Sequence, residues 1–205
     1  MADFTAKDVQ RLRQEAGVGM MDAKSALEET KGDFDQALEI LREKGLLKVA
    51  KRAERTANHG TVGYYIHNQQ GRAVAGVLVD LACETDFVAK SDEFIETAND
   101  IALHISWGKP TWVEREEADD SHLEALREQF TQEAREEGKP ENLIEKIVSG
   151  KIEKHLSDQS LYEQDFVNPD KFEGTVGDMV NQLAAKMGEN IRVRRFARID
   201  VNEGS

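Results

Sequence analysis

The sequence predicts an α+β fold, and three observations carry that prediction. Apolar residues recur at helical spacing in three short runs before Gly45. They alternate with polar ones, as half-buried strands require, in the run ending at Cys83 and again from Asn190 to Val201. Two strongly charged helical stretches, separated by Gly138, Lys139 and Pro140, lie between them. The expected organisation is a three-helix module with a linker helix over residues 1–55, then a core of a small sheet and helices over 56–205, with a charged helical hairpin at 114–156.

The N-terminal elements follow from caps and breakers. Thr5 through Asp8 reads as a capping box, after which Val9, Leu12 and Ala16 recur at helical spacing up to a break at Gly17 and Gly19. A second helix is expected from Asp22 to Thr30 and ends at Gly32. Asp33 with Gln36 caps a third, whose Phe34, Ala37, Leu38 and Leu41 form one apolar stripe before Gly45. The basic run from Leu46 to Ala57, with Lys48, Lys51, Arg52 and Arg55, reads as a linker helix with a solvated face.

The run TVGYYIHNQQGRAVAGVLVDLAC reads as two strands joined by a turn at Asn68 through Gly71. On the second, Ala75, Val77, Val79, Leu81 and Cys83 share a face. A helix follows, with Phe94, Ala98, Ile101, Ala102 and Ile105 as its stripe and Gly108 with Pro110 as its stop. The charged stretches Glu114 to Glu137 and Glu141 to His155 pair through a thin seam, Leu123, Leu126 and Phe130 against Leu143, Ile147 and Ile152. A helix from Thr175 to Met187 and a last strand close the chain. In that strand Ile191, Val193, Ala197, Ile199 and Val201 share a face, and Arg195 beside Phe196 predicts a bulge or a two-sided environment.

Composition removes several function classes. A net charge of -13 argues against affinity built on nucleic-acid phosphates. One cysteine, Cys83, allows no internal disulfide and no zinc pair, and fits a reducing cytoplasm. The start MADFTAKD has neither a signal core nor transit-peptide character, and no run is long enough for a membrane span, so a cytoplasmic location is expected. Gly150, Lys151 and Ile152 lack the spacing of a phosphate loop, and Gly17, Val18 and Gly19 lack the third glycine of a dinucleotide turn, so no directly bound nucleotide and no cofactor is expected. The five histidines show no ligand spacing, so no metal site is expected either.

One stretch, CETDFVAK from Cys83 to Lys90, places an acid and a large aromatic, Asp86 and Phe87, at a strand-to-helix junction. Physics alone offers Thr85 or Asp86 as an N-cap and Phe87 as a core residue of the first turn. Asp86 as a general base is the weaker alternative, since no second acid or base stands at a telling spacing.

The segments LRQEAGVGMMDAKSAL, DLACETDFVAK, GKPENLIEKIVSGKIEK and MGENIRVRRFAR, in this order, resemble the bacterial elongation factor Ts family across the chain. Ala16 and Ala82 depart from the threonine and asparagine usual there. The resemblance implies an N-terminal module like a ubiquitin-associated domain, an antiparallel sheet, a homodimer in a chain this short, and guanine-nucleotide exchange on elongation factor Tu without covalent chemistry. It assigns Thr85, Asp86, Phe87 and Val88 to displacement of the partner's magnesium ion, and Val18, Met20 and Met21 to a second contact. Packing within the three-helix module is the alternative for the two methionines. An adaptor or chaperone without exchange activity is the alternative function.

Overall fold

The computed structural model describes residues 4–16 and 20–201, without the side chains of residues 46–48 and 50. In chain order the elements are α1 (Ala6–Ala16), α2 (Met20–Glu29), α3 (Phe34–Ala50), β1 (His59–Gln69), β2 (Arg72–Cys83), α4 (Asp86–Ala89), α5 (Asp92–Gly108), α6 (Asp120–Glu136), α7 (Glu141–Gln159), α8 (Val176–Met187) and β3 (Arg192–Asp200). The fold is α+β, and its strands form one antiparallel sheet in the order β1-β2-β3. Among the described residues no helix is long and apolar enough to cross a membrane.

The elements divide into two compact units. One is built from Met1–Val62, Asp80–Thr97 and Met179–Arg192, the other from Gly63–Val79, Ala98–Asp178 and Val193–Ser205.

In the first unit, α1 starts where its capping box says it should. The Thr5 N–H donates to Asp8 Oδ2 at 2.7 Å and the Asp8 N–H to Thr5 Oγ1 at 3.3 Å, so two otherwise orphaned donors are satisfied reciprocally. Val9 and Leu12 meet Ala23, Ala26 and Leu27 of α2 and Ala37, Leu38 and Leu41 of α3 in one apolar cluster. After α2 the backbone turns left-handed at Lys31 and Gly32, and the Gly32 N–H reaches the Leu27 carbonyl at 2.8 Å, a helix-ending Schellman bond. The expected stop at Gly45 is overturned: α3 runs on to Ala50. A Cβ at Gly45 would meet the Ala185 methyl at an ordinary 3.8 Å, so glycine there costs propensity without forcing a break.

In the second unit, β1 and β2 are joined by Gln70 (φ 52) and Gly71 (φ 79), the left-handed pair a two-residue hairpin needs. Gly63 of β1 lies so close to α5 that a Cβ would fall 2.3 Å from the Ala98 carbonyl oxygen. Because side chains alternate along a strand, Gly63 toward α5 sends Tyr64 and Ile66 to the opposite face. Asp200 of β3 reaches Lys109, just after α5, at 3.5 Å, which sends Ile199 and Val201 the other way as well. Burial in β3 therefore changes phase between Val193, which is buried, and Phe196. The two-sided environment expected near Arg195 is present, but of the face expected from Ile191, Val193, Ala197, Ile199 and Val201 only Ile191 and Val193 are buried.

The hairpin forms as α6 and α7, and Leu123, Leu126, Phe130, Ile147 and Ile152 take part in its seam as expected, with one correction at Leu143. Ile144, Val148, Ile152 and Leu156 of α7 pack with Leu126 and Ala134, while Leu143 is exposed. Four-residue steps along α7 keep these side chains on one stripe. The first arm is shorter than expected: a 3₁₀ turn occupies Arg115–Glu117, and α6 begins only after Asp119, which accepts the His122 N–H at 2.7 Å.

Candidate functional site at the end of strand β2

Strand β2 delivers Leu81, Ala82 and Cys83 into the interior and then stops. Thr85 takes an extended backbone conformation (φ -124, ψ 155), and its hydroxyl accepts the Val88 N–H, making it the N-cap of α4. Four residues later the helix ends. Ser91 turns back onto the Val88 carbonyl through both its hydroxyl, at 2.8 Å, and its N–H, at 3.0 Å. The result is a single helical turn between a strand and a long helix.

That turn divides its side chains sharply. Val88 is 6% exposed and anchors the turn in the interior. Phe87 is 82% exposed, so the expectation of a core phenylalanine is overturned. Thr85 and Asp86 are exposed beside it. Of the four residues assigned together, three are presented outward and Val88 is the footing.

Asp86 receives a hydrogen bond from Lys90 Nζ at 2.7 Å, one helical turn on. That bond, then the Lys90 charge, hold its carboxyl below the ordinary value of 3.8, with a smaller contribution from His59. A carboxylate kept ionised in this way is poorly matched to proton transfer near neutrality, where a general base needs a raised value. The geometry suits docking: an apolar ring and a fixed negative charge, side by side on a rigid turn.

The turn is held by residues far along the chain that sequence reasoning left unassigned. Glu189 accepts three hydrogen bonds: from the Glu84 N–H at 2.9 Å and the Thr85 N–H at 3.1 Å on Oε2, and from the Thr85 hydroxyl at 2.6 Å on Oε1. In return the Asn190 N–H donates to Glu84 Oε1 at 2.6 Å, and Arg55 approaches the same carboxylate oxygen at 3.5 Å. The Asn190 side chain, buried, donates to the Ala53 and Arg55 carbonyls at 3.1 and 2.7 Å. Arg55 of the basic run thus has a specific ionic partner. The segment MGEN carried the only sequence signal for this network, and nothing in its spacing connects it with Thr85.

Of the N-terminal candidates, Met20 and Met21 open α2 and are 49% and 74% exposed, so neither packs the three-helix cluster. Val18 lies outside the described residues.

A sequence model of the family described as Elongation factor TS matches residues 3–173. The chain belongs to the elongation factor Ts family. It is 48% identical to the elongation factor Ts of Carboxydothermus hydrogenoformans over 202 residues, 98% of this chain and 90% of that one. To the elongation factor Ts of Desulfotalea psychrophila it is 48% identical over 199 residues, covering 97% and 98% of the two chains. To that of Fervidobacterium nodosum it is 44% identical over 201 residues, covering 98% and 100%. These elongation factor Ts relatives therefore match the chain from the three-helix module through β3.

Proposed function

We propose that this chain is a guanine-nucleotide exchange factor for elongation factor Tu in translation elongation, and that the ring of Phe87 is the group that enters the partner. The observation carrying this reading is the near-complete exposure of Phe87 on a turn whose base is tied down by Val88 and Glu189. A phenylalanine left in water beside exposed Thr85 and Asp86, with only Val88 of the turn buried, is a feature that folding alone does not call for.

An exchange factor makes and breaks no covalent bond. It binds the nucleotide-free partner more tightly than the nucleotide-bound one, and linkage requires that it weaken nucleotide binding by the same factor. Phe87 supplies apolar area that is buried only when partner elements separate to admit it. Asp86, ionised beside it, would act on the charge balance around the partner's magnesium ion, which would supply part of the affinity for the nucleotide's phosphates. Thr85 caps the turn and Val88 roots it. The chain itself needs no cofactor and holds no nucleotide.

Met20 and Met21 serve as a second contact, where flexible thioether side chains adapt to an apolar surface. The sheet supports the homodimer reading: Tyr64, Ile66, Leu78, Ile199 and Val201 are all exposed, and a second copy would cover them. Static light scattering at micromolar concentration checks this, and a monomer there overturns it. A cytoplasmic location accords with this role.

The deciding experiment is release of fluorescent GDP from elongation factor Tu with wild-type chain and with Phe87→Ala. Wild type accelerates release. The variant keeps its melting temperature and loses most of the acceleration, since removing a central aromatic anchor costs roughly 2 kcal/mol or more, about thirtyfold. Binding without acceleration by wild type means an adaptor instead.

A further inference from the structure

We propose that Glu189 is a positioning residue for the Phe87 contact, fixing the turn in the orientation in which the ring meets its partner. The proposal rests on the exchange reading above and adds a residue to it.

The turn does not hold itself. Four residues make barely one helical turn, and an isolated turn of helix is unstable in water. Its own cap bond, from the Val88 N–H to Thr85 Oγ1, is long at 3.4 Å. The bonds to Glu189 are shorter, 2.6 to 3.1 Å, and are strengthened by the carboxylate charge. They engage both oxygens and take up two consecutive backbone N–H groups at the end of β2 that have left the ladder.

The same carboxylate fixes the Thr85 hydroxyl. With its proton committed to Glu189, that hydroxyl presents a lone pair to the Val88 N–H, so one residue orients the cap and the backbone leading into it. Phe87 lies between these two tied positions, Thr85 and Val88. Glu189 is itself fixed in place: the next residue, Asn190, is 5% exposed and bonded to Glu84, Ala53 and Arg55. A wedge that is already ordered loses less freedom on binding, so the contribution of Glu189 is made through Phe87 and not through a surface of its own.

The test uses the full chain with four variants, Glu189→Ala, Glu189→Gln, Phe87→Ala and the Glu189→Ala/Phe87→Ala pair. Release of fluorescent GDP from elongation factor Tu is followed as a function of chain concentration. Glu189→Ala should lower the maximal acceleration roughly tenfold, with the half-saturating concentration changed less than about twofold. Glu189→Gln, which keeps one acceptor oxygen, should fall between it and wild type. The double variant should be no slower than Phe87→Ala alone, because residues acting as one unit are non-additive. Wild-type release rates in Glu189→Ala, or losses that add in the double variant, overturn the proposal.

A readout without the partner separates the two readings. With Phe87→Trp as reporter in the isolated chain, and Trp107 and Trp112 replaced by phenylalanine in every protein compared, Glu189→Ala should lower the fluorescence anisotropy of the indole. If it does while wild type fails to accelerate GDP release, the positioning role stands and the exchange reading falls. Unchanged anisotropy in both Glu189→Ala and Glu189→Gln overturns the positioning role.

Discussion

Phe87 and Phe94 stand seven residues apart, a spacing that in one uninterrupted helix puts both rings on the same face. Yet Phe94 is fully buried and Phe87 is 82% exposed. The difference is made between them, where α4 ends at Ala89 and Ser91 folds back onto Val88 before α5 begins at Asp92. A break of two residues reorients the first ring relative to the second. The same residue type therefore has two uses within one short stretch, packing in α5 and presentation in α4.

The largest expected effect comes from trading the buried ring. Phe94→Ala should lower unfolding free energy by about 3–5 kcal/mol, the usual cost of deleting a buried phenyl group. Thermal melting measures it, and the same scan on Phe87→Ala should superimpose on wild type. A Phe87→Ala protein that melts as low as Phe94→Ala would erase the contrast.

A second, smaller effect tests the packing around α5 by pH. His104 is 2% exposed; its Nδ1 accepts the Val167 N–H at 3.2 Å, so Nε2 carries the proton toward Gln164 Oε1 at 2.9 Å. Burial holds its pKa below the ordinary 6.5, opposed by the Gln164 bond. The unfolded chain therefore binds more protons than the folded one below about pH 6.5, and stability present above that pH is lost as pH falls. One such proton contributes a slope of at most about 1.4 kcal/mol per pH unit. Urea unfolding between pH 5 and 8 should show this slope in wild type and a flatter one in His104→Gln. Equal slopes would mean that His104 charges without cost.

How much of this was legible follows from how local each signal is. Capping residues and stripes read correctly because they act within one or two helical turns: Thr5 with Asp8, Asp33 with Gln36, and the α5 stripe all stand as expected. Leu143 was taken for the seam where Ile144 is, since both are apolar and only the facing arm selects between them. In β3, Ile199 and Val201 continue the alternation of Val193, but the pattern cannot register a change of phase within the strand. The placement of Phe87 depended on the helix break beside it. The network around Thr85 was invisible, because Glu189 lies 104 residues away in the chain.

The smallest expected effect concerns the acid beside the exposed ring. Asp86 and Lys90 form a close pair at 2.7 Å, but both side chains are mostly in water, where such pairs add little to stability. Lys90→Ala should leave the melting curve of the isolated chain unchanged. It should still move the Asp86 carboxyl back up toward 3.8, because the Lys90 hydrogen bond and then its charge are the chief causes of the depression. A carbon-detected NMR titration of Asp86 reads that shift directly, and an Asp86 titration identical in the two proteins would sink the assignment. A rise with an unchanged melt would mean that α4 carries a charge whose state can be altered without disturbing the fold, as a contact residue requires and a core residue such as Phe94 does not allow.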